Sequence, residues 1–209
     1  MFRSIQRHPF LPGACLVVLA LAACEGRNRS EAARESAAAT DTAMAPAAPT
    51  DTAATGAKLS DPNIVALLDE ANMADSAAGA VAATKATSKE VKDFARLMMT
   101  EHHALRQAGQ QLAKQLKVTP EPPASDPVKP LADGEMKALE STAKGKEFDR
   151  VYIEQEVAAH KAVLDLANKA HDQAQNEQLK ALIEKAKPVI QKHLDQAEAL
   201  QSKLGEATT

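Results

Sequence analysis

Aromatic residues are almost missing from this chain, which has four Phe, one Tyr and no Trp among 209 residues. A core of that composition has to be Ala, Leu, Ile and Val packed tightly, and no large apolar ligand cavity is advertised. Cysteine is as scarce, at Cys15 and Cys24. No apolar run approaches the ~20 residues that a membrane span needs. Glycine-rich phosphate loops and nucleophile elbows are absent, no alternation of strand type occurs, and no basic stretch concentrates enough charge to mark a nucleic-acid surface.

The start of the chain carries the most specific pattern. Arg3 and Arg7 precede an apolar run from Phe10 to Ala22, followed by Leu21-Ala22-Ala23-Cys24. A charged n-region, a short h-region and small residues before a cleavage point make a secretory leader over residues 1–23. The Leu-Ala-Ala-Cys tail resembles the lipobox of bacterial lipoproteins, in which the cysteine sulfur receives a diacylglycerol. Cys24 is therefore the expected lipidation site and the expected membrane contact. Cys15 leaves with the leader and Cys24 is consumed by lipid, so no disulfide is expected and the fold must stand on packing. Loss of Arg3 and Arg7 takes the net charge from -3 to about -5. Glu25 follows the cysteine, and by the same resemblance the absence of Asp there favours the outer membrane, facing the periplasm.

Residues 24–58 are Ala, Thr, Ser and Pro with scattered charge, and lack any aromatic or branched aliphatic side chain. Such a stretch cannot bury enough to fold. It reads as a tether with a span on the order of 30 Å.

From Leu59 onward the pattern is helical throughout, and residues 59–209 make one domain. Asp61-Pro62 predicts a helix start, and Ile64, Leu67, Leu68, Ala71, Asp75, Ala78 and Ala82 recur at steps of three and four. Thr87-x-x-Glu90 reads as a capping box for a second helix bearing Val91, Phe94, Met98, Leu105 and Leu112. The prolines of TPEPPASDP then forbid helix, and a short helix over about Ala132 to Ala143 follows. Gly145 precedes a third long helix with Phe148, Tyr152, Val163 and Leu166; Asn176 caps a fourth, with Leu179, Ile183, Ile190, Leu194 and Ala197. Pro188 predicts a kink inside it. Two short turns and one long middle connection predict an all-α, ferritin-like four-helix bundle, whose crossover between the second and third long helices contains the short extra helix.

Polar residues interrupt each stripe. At 100° per residue, Asp75 faces inward on the first helix, Glu101 and His102 flank the Met98/Leu105 line on the second, Glu156 lies in the apolar arc of the third with His160 towards its edge one turn later, and His193 is central on the fourth. His103 points away. All lie near mid-helix and share one level, a constellation able to hold iron, manganese, zinc or copper. The Glu-x-x-His of ferritin-like di-metal sites is not there: Glu156 and His160 are four apart. Carboxylates and imidazoles can equally satisfy one another as a closed structural layer. Such a layer should loosen below about pH 5, as carboxylates favoured in the native state lose charge.

The segments VKDFARLMMTEHHAL, GKEFDRVYIEQEVAAHKAVLDL and KPVIQKHLDQAEAL, in that order, resemble the DUF4142 family of bacterial outer-membrane proteins, a ferritin-like helical family. The resemblance spans about Asp61 to Leu204 and matches Glu101, His102, Phe148, Asp149, Tyr152, His160, His193 and Leu194. Asp75 stands where such proteins often have Glu, a shorter arm in any metal shell. The resemblance implies fold and envelope location and no reaction. Two readings follow: a non-enzymatic, lipid-anchored module acting on an envelope protein partner, with no catalytic residue assigned, or a metal-binding, redox-capable protein using the core constellation.

Overall fold

The computed structural model describes residues 58–206. The leader, Cys24 and nearly all of the tether read from the sequence lie outside the described residues. Within them the chain is all-α, with five helices and no strand: α1 (Asp61–Lys85), α2 (Lys89–Leu116), α3 (Val128–Ser141), α4 (Lys146–Gln173) and α5 (Glu177–Glu206).

Local chemistry sets the ends. Ser60 caps α1, its hydroxyl accepting from Asn63 N while the Asn63 side chain returns a bond to the Ser60 backbone. The cap of α2 is Ser88 rather than the predicted Thr87, because Ser88 Oγ accepts from Val91 N. Thr87 serves a longer-range contact instead. Its N–H and hydroxyl, with the N–H of Ser88, donate to the buried Asp149 carboxylate at 2.7, 2.6 and 2.8 Å. Lys117, at φ 55°, closes α2 in the left-handed conformation. The short helix α3 starts at Val128, earlier than the sequence suggests, since Asp126 Oδ1 accepts from Val128 N and Lys129 N and Pro130 is tolerated in a first turn. Gly145, at φ 152°, makes the turn into α4 that a side chain would resist. Asn176 caps α5 as expected, accepting from Gln178 N and Leu179 N, and α5 runs on through Pro188.

The helices pack chiefly as α1 on α2 and α4 on α5, with α2 against α5, α1 against α4, and α3 against both α1 and α4. Polar ties give their directions. The start of α1 meets the end of α4, where Leu59 N donates to Gln173 Oε1 and Asp61 accepts from Gln175 N and Asn176 N. The start of α4 meets the α1–α2 turn through Asp149. The chain leaving α2 is held beside the start of α1 by Glu121 N donating to Pro62 O. The far end of α3 is held at the end of α1, where Lys85 Nζ donates to the carbonyls of Leu139 and Glu140.

Buried apolar side chains fall into two groups. One runs from Leu59 to Ala71 on α1 and takes in Ala113, Val128, Leu166 to Ala174 and Leu179 to Ile190. The other takes Ala78 to Ala86, Val91 to Met98, Leu139, Phe148 to Val157, Leu194 and Ala197. On every helix the sequence passes from one group to the other across a buried polar residue. These residues are Asp75, His102, Glu135, the Glu156/His160 pair and His193.

Small residues allow α1 and α2 to approach closely. A Cβ on Gly79 would meet Ala95 O at 2.7 Å and Met99 Cγ at 3.0 Å. Gly79→Ala should therefore destabilise by about 1–3 kcal/mol, since backbone crowding outweighs the gain in helix propensity. Urea unfolding would show it, and an unchanged or raised midpoint would contradict the close approach.

Candidate functional site

Three imidazoles from three helices meet between the two apolar groups. The ring centroids of His102 and His193 lie 5.0 Å apart, those of His102 and His160 5.4 Å, and those of His160 and His193 5.4 Å. One ligand-capable nitrogen from each lies within 4.8 Å of those of the other two. All three side chains are buried.

The outer nitrogen of each ring is held by an acceptor, and this assigns the tautomers. Asn72 Nδ2 donates to Leu68 O at 2.6 Å, which turns Asn72 Oδ1 toward His102 Nδ1, 3.0 Å away; Asp75 Oδ2 lies 3.3 Å from the same nitrogen. His160 Nδ1 donates to the Glu156 carbonyl at 2.9 Å. His193 Nε2 donates to Glu101 Oε2 at 2.7 Å, and Lys192 Nζ reaches the other oxygen of Glu101 at 3.4 Å. The remaining nitrogens, His102 Nε2, His160 Nε2 and His193 Nδ1, are buried and have no hydrogen-bond partner. Each carries a lone pair. Burial holds the His102 pKa down at about 4 and lowers those of His160 and His193, the last against the raising influence of Glu101. The rings are neutral at pH 7, the state that ligates metal.

Carboxyl groups sit beside the imidazoles. Ligand atoms of Asp75, Glu156 and His160 also lie within 4.8 Å of one another. Glu156 Oε2 is 3.3 Å from His160 Nδ1, but that N–H is aimed at the Glu156 carbonyl, and the carboxyl lies beside the buried Tyr152 hydroxyl. Burial raises Asp75 to about 6 and lifts Glu156 well above the carboxylate range, with the neighbouring Asp75 adding to the latter. Tyr152, stacked on Phe148 and packed near Phe94, is fully buried, its hydroxyl beside the Glu156 carboxyl.

The sequence-predicted constellation is thus gathered with a division of labour. His102, His160 and His193 form its centre, Asp75 and Glu156 lie against it, and Glu101 stands at the rim behind His193 with its side chain 30% exposed. His103 is exposed and faces Gln107. Sequence reasoning missed Glu135 and Asn72. A signal for Glu135 existed, since Val128, Glu135 and Leu139 step by seven and four along α3 and are its buried residues. Asn72 carried none, because its role depends on a ring donated by another helix.

A family model described as a domain of unknown function, DUF4142, matches residues 43–200. The chain belongs to the DUF4142 family. No curated protein and no solved structure matches it. Among the described residues of this DUF4142 protein, no helix is long and apolar enough to cross a membrane.

Acid and base act on the metal-free layer in opposite senses. The unfolded chain binds a proton on His102 between the ordinary 6.5 and the folded value of about 4, so stability falls as pH is lowered through that window. Glu135 moves from 4.5 to about 8 through burial and the nearby Asp75, so the folded chain keeps a proton that the unfolded chain releases, and stability falls as pH rises through that range. The acid-side expectation from sequence is revised for Asp75 and Glu156, which burial raises: His102, by charging, loosens the fold in acid, whereas Glu101, lowered by its bond to His193, acts in the expected sense. The unfolding midpoint of metal-free protein should drop from pH 7 to pH 8, above the range in which histidines of the unfolded chain take up protons, by up to about 1.4 kcal/mol per unit from Glu135. Glu135→Gln should reduce that slope, and a slope the same in both proteins would refute the assignment.

Proposed function

We propose that this DUF4142 protein is a lipid-anchored envelope protein whose helical domain binds a first-row transition metal through His102, His160 and His193. The observation that carries this reading is the trio of buried, unpaired ring nitrogens, each on a ring fixed from behind by an acceptor. The three histidine nitrogens, at about 1–3 kcal/mol each when left unpaired, weigh heavily against a domain stability of about 5–15 kcal/mol. A bound cation converts the nitrogens from liabilities into ligands. Three neutral imidazoles suit zinc or copper, and Zn–N bonds of about 2.0–2.1 Å require only a modest inward shift of the rings. Fixing the far nitrogen of a ligating ring is a recurrent feature of metal sites and raises ligand basicity. When bound, the metal would supply Lewis acidity, with redox chemistry added if it is copper or iron.

The fold we assign is the ferritin-like four-helix bundle. It is supported by the antiparallel α1–α2 and α4–α5 pairs and by a connection that leaves α2 beside the start of α1 and delivers α3 to its far end. Lipid at Cys24 and a periplasm-facing place at the outer membrane rest on the leader and the Leu-Ala-Ala-Cys tail, with residues 24–58 as tether and 59–209 as the bundle. A second reading is a purely structural layer in a module that acts through its surface on an envelope protein. Its support is that a carboxyl oxygen lies within 3.3 Å of one ring nitrogen of each histidine, from Asp75, Glu156 and Glu101.

Purified chain, stripped with chelator and offered zinc or copper, should retain about one equivalent after desalting. His102→Ala with His193→Ala should lose it while circular dichroism stays helical. Glu101→Gln should weaken binding by about 10–100-fold. No retained metal would leave the structural layer as the better account. Separately, Cys24→Ser should move the protein from the membrane to the soluble fraction and abolish palmitate labelling; continued membrane association would count against the anchor.

A further inference from the structure

Gly109 leaves a gap in the inward stripe of α2. Met98, His102, Leu105, Gly109 and Ala113 follow one another at helical steps of three and four, so Gly109 stands where the stripe would carry a core side chain. Glycine weakens a helix interior relative to alanine. At Gly79 a close backbone approach accounts for that choice, whereas a Cβ added at Gly109 would meet nothing within 4 Å. Gly109 borders a cavity of about 50 Å³ between α1, α2, α4 and α5. Its walls are apolar side chains such as Val65, Leu68, Leu179 and Ile183, and it reaches His102 and Asp75 at the level of the polar layer. We infer that this cavity binds a small neutral apolar molecule of about the size of dioxygen, seated beside His102.

Size and polarity select that class. A water molecule takes about 30 Å³ of the liquid, and a cavity of about 150 Å³ takes up benzene. A space of about 50 Å³ therefore suits a molecule of roughly two or three heavy atoms. Anions find no free counter-charge: among the described residues that line the cavity Arg106 is the one Lys or Arg, and its Nε and Nη2 both donate to Asp69, at 3.0 and 3.1 Å. Gln110 Nε2 donates to the same carboxylate at 2.8 Å. A hydrated cation would have to exchange its water for Leu, Ile and Val. Water itself needs two to four polar partners, and the Asn72 amide, which also lines the space, is already engaged with Leu68 O and His102. A neutral apolar molecule makes none of these demands. The site lies beside the imidazole centre and does not require a metal there.

Xenon, which is neutral, apolar and compact, is the probe. Metal-free full chain with labelled methyl groups is followed by NMR under rising xenon pressure. Saturable shifts are expected at the methyls of Val65, Leu68, Leu179 and Ile183. Gly109→Leu should fill the space and remove those shifts; Ala186→Leu, which adds bulk from the α5 wall, is a second variant should the first not fold. Absence of saturable shifts, shifts that persist in both variants, or shifts confined to Val128, Leu131 and Leu166 of the neighbouring cavity, would overturn the assignment. Zinc retention measured on the same proteins separates this site from the imidazole centre. Zinc kept without xenon binding would remove the apolar site alone, whereas xenon bound and displaced by Gly109→Leu in a chain that retains no zinc would support the apolar site and count against the metal reading.

Discussion

Three histidine rings share one layer of a helical interior, and a layer that polar is tolerated only when each ring nitrogen has a partner. Half of the requirement is met by the protein itself. Asn72, the Glu156 carbonyl and Glu101 each take one N–H, which fixes ring orientation and tautomer together. The remaining nitrogens, His102 Nε2, His160 Nε2 and His193 Nδ1, are buried without a hydrogen-bond partner. A carboxyl lies beside each ring, and α3, packed on α1 and α4, buries a further acid, Glu135.

The layer divides the interior into two apolar halves, and the boundary carries consequences for folding as well as for binding. Each helix contributes apolar surface on both sides of its polar residue, so a register shift of one turn would place an imidazole or carboxyl among Leu and Ile. Desolvation without a partner would then cost several kcal/mol. A polar layer of this kind acts as a register key, at some expense in stability. The ends of the helices reinforce the register through specific ties: Asp149 to the α1–α2 turn, Asp61 to the α4–α5 turn and Lys85 to the end of α3.

With few aromatic side chains available, close backbone approach replaces bulk. Phe94, Phe148 and Tyr152 cluster in one half, and elsewhere Ala and Gly bring helices together, most tightly where Gly79 meets the backbone of Ala95. This packing leaves small cavities, of about 50 Å³ and about 70 Å³, both touching Asp75. Asp75 is thereby the residue through which space, charge and the imidazole centre communicate. The shorter arm of Asp relative to Glu fits that position, where the carboxyl is shared between two sides rather than extended toward one.

Helix number, helix spans within a few residues, and the inward direction of Asp75, His102, Glu156, His160 and His193 were legible in the sequence. Each follows from the 3.6-residue period and from capping chemistry that acts within one turn. The same local logic misassigned the α2 cap, because Thr87 and Ser88 are both competent and the choice was made by Asp149, more than sixty residues away in sequence. Which nitrogen of each histidine lacks a hydrogen bond, the bond from His193 to Glu101, and the arrival of Glu135 and Asn72 were decided by tertiary structure alone. Those properties depend on distances between helices, and hydrogen bonding acts over about 3 Å. The sequence by itself determined a helical chain with an inward row of acids and imidazoles; only the packing of helix against helix made that row a buried layer in which three imidazoles meet.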